Sequence, residues 1–99
     1  MKSEVELIYL KLNGYYILDL VGMADSGYVW KYNVDKENIV NISHRYISPS
    51  NNKLGGVGIE RFTIIGTQRG LCTIKFEQIR SWEKDHIPLS VREFLVSVE

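Results

Sequence analysis

The sequence predicts an all-β sandwich or barrel, and three observations lead there. Apolar and polar residues alternate with period two over most of the 99 residues. Gly, Asn and Pro punctuate that alternation at short, regular intervals. No window carries a sustained apolar period of 3.6, so no amphipathic helix is expected. About seven or eight strands separated by short turns follow from this pattern.

The elements run in order. Val5, Leu7 and Tyr9 oppose Ile8, Leu10 and Leu12 in a first strand, and Asn13-Gly14 then predicts a hairpin turn. Tyr16, Leu18 and Leu20 continue in a second strand. Tyr28, Trp30, Tyr32 and Val34 alternate with Val29, Lys31, Asn33 and Asp35, which predicts a half-buried third strand with Trp30 facing the core. A fourth strand spans Ile39 to Ile47, after which Pro49 and Asn51-Asn52 open a loop that extends to Gly58. Ile59 to Ile65 forms a fifth strand, turned by Gly66 to Gly70. Leu71 to Ile79 follows, with Cys72, Ile74 and Phe76 on one face; Phe94, Val96 and Val98 mark the last strand after a loop from Arg80 to Pro88.

A chain of this length is expected to form one domain over residues 1–99. Twelve basic side chains balance twelve acidic ones, so neither nucleic acid nor an anionic membrane is an expected partner. The single cysteine, Cys72, forms no intrachain disulfide, which fits a reducing compartment. Glu4, Glu6 and Lys11 interrupt the N-terminal apolar residues. That segment therefore does not read as a signal peptide, and a cytoplasmic location is expected, or a lysosome-like vesicle lumen if a leader has been removed. Nothing in the sequence demands a dimer, and a free monomer is expected.

Catalytic chemistry finds little support. Cys72 lies mid-strand among apolar neighbours and reads as an inert core thiol. His44 and His86 have no second ligand at metal-binding spacing, so no metal and no cofactor are expected. Leu54-Gly55-Gly56-Val57-Gly58 lacks the following helix and the Lys-Ser/Thr pair of a phosphate loop. Its glycines suit a main chain that approaches a partner closely. Trp82 sits past the end of its strand beside Glu83, Lys84 and Asp85, and with Arg80 it has the composition of an interface hot spot.

Three stretches together resemble the chagasin-type inhibitors of papain-like cysteine proteases. Met23-Ala24-Asp25-Ser26-Gly27-Tyr28-Val29-Trp30 is similar to the family's NPTTG-Y/F-x-W motif, Gly55-Gly56-Val57-Gly58 to its GxGG motif, and Arg80-Ser81-Trp82 to its RPW motif. The departures are Met23 and Ala24 for Asn-Pro, Asp25 and Ser26 for the two Thr, Val57 for Gly, and Ser81 for Pro. The resemblance implies an immunoglobulin-like sandwich with three binding loops at one end, wedged into a protease cleft. It implies protease-binding roles for Met23, Ala24, Asp25, Ser26 and Gly27, for Leu54, Gly55, Gly56, Val57 and Gly58, and for Arg80, Ser81 and Trp82. Ser26 would lie closest to the catalytic pair, the glycines along the non-primed side, and Arg80 with Trp82 on the primed side. The implied protein is a tight-binding reversible inhibitor and not an enzyme. The alternative is a generic immunoglobulin-like module that binds another protein or a glycan, with Trp82, Glu83 and Asp85 as its platform.

Overall fold

The computed structural model describes residues 4–23, 26–48, 58–80, 82 and 87–99. Seven strands occur among the described residues: β1 (Val5–Leu10), β2 (Tyr15–Val21), β3 (Tyr28–Val34), β4 (Val40–Ile47), β5 (Ile59–Gly66), β6 (Gly70–Arg80) and β7 (Ser90–Val98). They form two sheets, β1-β7-β6-β3 and β2-β5-β4. This is the expected immunoglobulin-like sandwich.

Alternation decides which side chains meet between the sheets. Ile8, Leu10, Cys72, Ile74, Phe76, Phe94, Val96 and Val98 face inward from the four-stranded sheet, and Leu18, Leu20, Phe62 and Ile64 from the three-stranded one. Phe62, Phe76 and Phe94 form the spine of this core. Phe62 and Phe76 meet at 4.9 Å between centroids, and Phe76 and Phe94 meet edge to face at 5.7 Å. Both are favourable quadrupole geometries. Cys72 is buried, and desolvation pushes its thiol pKa up, so it stays protonated and unreactive. Tyr32 is more open than its phase predicts, at 39% exposure, because β3 is a sheet edge. Its ring still packs on Phe62 and Phe76.

The hairpin expected at Asn13-Gly14 is corrected. The turn itself forms: Asn13 has φ of 68°, and Gly14 N–H donates to Lys11 O at 2.7 Å. Yet β1 and β2 belong to opposite sheets, so the turn is a corner between layers. Non-local pairing overrides the local signal: β1 pairs in parallel with β7, and β2 pairs antiparallel with β5.

The register gathers the loop roots. Val21 and Ile47 both lie opposite Ile59, Tyr28 lies opposite Arg80, and Gln78 lies opposite Ser90. The β2–β3, β4–β5 and β6–β7 connections therefore leave from one end of the sandwich.

Replacing Phe76 by Ala should cost about 3–5 kcal/mol, since it removes the ring that joins both sheets. Leu71→Ala, on an exposed face, should stay within about 0.5 kcal/mol. Equilibrium urea unfolding of the two variants checks both values.

Candidate functional site

Beneath the loop end the core phase turns polar. Glu60 shares the inward phase of Phe62 and Ile64, and Gln78 that of Ile74 and Phe76; they are only 4% and 3% exposed. Each has partners, as burial requires. His44 Nε2 lies 2.8 Å from Glu60 Oε1, and Trp30 N–H donates to Glu60 Oε2 at 3.4 Å. The His44 ring stacks on Phe62 at 4.4 Å. Gln78 Nε2 donates to the Val21 carbonyl at 3.1 Å, and Trp30 Nε1 donates to the same oxygen at 2.9 Å. Trp30 is thus a core residue, as its phase predicts, and its polar edge ties β3 to the last residue of β2. Glu60 and Gln78 did not emerge as candidates from the sequence. Their signal was a polar residue on the apolar phase of an otherwise regular strand.

On this floor stands the first loop. Ser26 and Tyr28 N–H groups both donate to the Met23 carbonyl, at 3.0 and 3.2 Å, and Met23 forms a bridge with Tyr28. These bonds close a tight turn in which Gly27 takes φ of 82°, a region that disfavours side chains. A Cβ at Gly27 would also overlap the Trp82 ring. Trp82 is therefore seated on the first loop while remaining 67% exposed. Arg80 Nε donates to the Ser26 carbonyl at 3.2 Å, and its guanidinium lies 4.6 Å from the centroid of the Tyr28 ring.

At the root of the middle loop, Gly58 O accepts from Gly22 N–H at 2.9 Å. A Cβ at Gly58 would overlap the Tyr46 hydroxyl, so the close approach requires glycine. Of the residues singled out from the sequence, the structure brings together Met23, Ser26, Gly27, Arg80 and Trp82, and it places Gly58 at the same end. Ala24, Asp25, Leu54, Gly55, Gly56, Val57 and Ser81 lie outside the described residues, as do Glu83, Asp85 and His86.

Among the described residues, two charged pairs lie nearby. Asp19 accepts two bonds from Arg61, at 2.7 and 2.9 Å, which hold its carboxyl below the usual range. Arg92 pairs with Glu6 through two bonds, at 2.7 and 3.1 Å. Cys72 lies toward the far end of β6, and His44 faces Glu60. What this end offers is an exposed indole, a hydroxyl and backbone on braced turns, which suits recognition of a surface.

The family model described as Chagasin family peptidase inhibitor I42 matches residues 9–98. The chain belongs to the chagasin family of peptidase inhibitors. Among proteins with curated descriptions, none matches this chagasin-family chain in sequence. Solved structures resemble it in fold. The cysteine protease inhibitor EhICP2 from Entamoeba histolytica superposes with a TM-score of 0.85 at 17% identity, covering 96% of this chain and 87% of that one. Amebosin, solved in solution, has a TM-score of 0.69 at 22% identity, with coverages of 94% and 88%. PbICP-C, solved in complex with falcipain-2, has a TM-score of 0.60 at 18% identity, with coverages of 98% and 89%.

Gly27→Ala should push the indole of Trp82 off its seat and strain the turn by about 1–2 kcal/mol. Fluorine NMR of protein labelled with 5-fluorotryptophan resolves Trp82 from Trp30 without altering either residue's bonds, and a shift of the Trp82 resonance toward that of a solvent-exposed indole is expected. An unchanged spectrum would mean that the loop absorbs the methyl without moving the ring.

Proposed function

We propose that the loop end enters the active-site cleft of papain-like cysteine proteases and blocks it reversibly. Membership of the chagasin family over nearly the whole chain carries this reading. Two neighbours add support: EhICP2 is described as a cysteine protease inhibitor, and PbICP-C is seen with falcipain-2, a papain-like cysteine protease.

In this reading the protein binds and does no chemistry of its own. The first loop sits at the middle of the wedge, with the Ser26 hydroxyl nearest the catalytic Cys-His pair. Ser26 and Tyr28 N–H both bond back to the Met23 carbonyl, so in this reading the loop root is folded on itself and does not lie in the cleft as an extended substrate does. The glycine-rich segment ending at Gly58 runs along the non-primed side, pairing main chain with main chain as an extended substrate does. Trp82 covers the primed side, where a large ring supplies buried area at low entropy cost. An interface of about 800 Å² per partner suffices for tight binding when the loops are held in place beforehand.

Titrating a papain-like endopeptidase with the pure protein should abolish its activity at a one-to-one end point, and dilution should restore it. Full residual activity at micromolar protein across several such enzymes would refute the reading. Trp82→Ala should weaken inhibition by about 2 kcal/mol or more, roughly 30-fold, with unchanged thermal stability.

A further inference from the structure

Arg80 ends β6 opposite Tyr28, the first residue of β3. Its side chain works within the chain itself. Nε donates to the Ser26 carbonyl at 3.2 Å, and the guanidinium carbon lies over the Tyr28 ring, 4.6 Å from its centroid. Ser26 and Tyr28 flank Gly27, and both donate to the Met23 carbonyl. One side chain from the third loop's root therefore grips both sides of the first loop's turn. The Trp82 ring lies on Gly27 between those two points.

Such an arrangement lowers what binding must supply. A loop that samples many conformers binds with an affinity reduced by the fraction in the competent one. Holding the first loop against the third raises that fraction before any partner arrives. Guanidinium is suited to the task because one group offers a directed Nε–H and a flat face for an aromatic ring. Lysine has neither.

We propose that Arg80 is a positioning residue: it acts through Ser26 and Tyr28, so that Ser26, Gly27 and Trp82 meet the protease as one preformed edge. The proposal rests on the reading of this end as the protease-blocking surface, and it moves Arg80 from the contact set to the bracing set.

Two measurements test it. In the free protein, amide NMR of Arg80→Ala should show shifted Ser26 and Gly27 resonances while strand resonances stay in place; unshifted Ser26 and Gly27 signals would overturn the brace, whatever the protein inhibits. Against a papain-like protease, Arg80→Ala and Arg80→Lys should both lose about tenfold in affinity, mainly through slower association. In a Tyr28→Leu background the further loss from Arg80→Ala should shrink to about threefold or less. An equal loss in both backgrounds, or full activity of Arg80→Lys, would assign Arg80 a direct or purely electrostatic contact and overturn the proposal. If the unaltered protein inhibits no such protease, the functional reading fails, and the NMR result still decides the brace.

Discussion

Two sheets joined by apolar side chains are held together strongly but with little direction, because hydrophobic burial is indifferent to small slides and rotations. Direction comes from the Val21 carbonyl. This oxygen, at the last residue of β2, accepts Trp30 Nε1–H and Gln78 Nε2–H from the opposite sheet. Glu60 repeats the theme, reaching from β5 to the Trp30 N–H while His44 secures its other oxygen. Each bond adds only about 1 kcal/mol net. Together they set where β2 ends relative to the start of β3 and the end of β6, and so where the first and third loops stand.

Everything above that floor depends on it. The turn closed on the Met23 carbonyl, the left-handed Gly27 and the Trp82 ring fit one another only if their roots are held in register. A recognition surface made of backbone and a few side chains needs such support, since small displacements undo its complementarity. The nearby charges are turned to other uses, with Asp19 held by Arg61 and Arg92 by Glu6. Among the described residues, shape and the exposed indole of Trp82 are what this end presents.

Much of this was legible in the sequence. Period-two alternation marked the strands, placed Trp30 in the core, and put Cys72, Ile74 and Phe76 on one face, which the structure buries. The same phase separated Trp30 from Trp82. Pairing was not legible. Asn13-Gly14 specified a turn correctly, but a turn's chemistry does not say whether its flanking strands share a sheet, and the parallel β1–β7 ladder joins the two ends of the chain. Glu60 and Gln78 were visible only as charge and amide on an apolar phase, without a hint of their partners. The seating of Trp82 on Gly27 likewise depends on tertiary register, which motif spacing does not encode.

The parallel ladder between the first and last strands also determines how the molecule bears load. Val5 stands beside Glu93 at the loop end, and Leu10 beside Val98 at the other. A force drawing the two ends of the chain apart would run along β1 and β7 in opposite senses. It would shear the ladder, loading its hydrogen bonds together instead of peeling them one by one. Tension of this kind meets its resistance in the terminal pair, while the strands that root the loops are spared until that pair gives way.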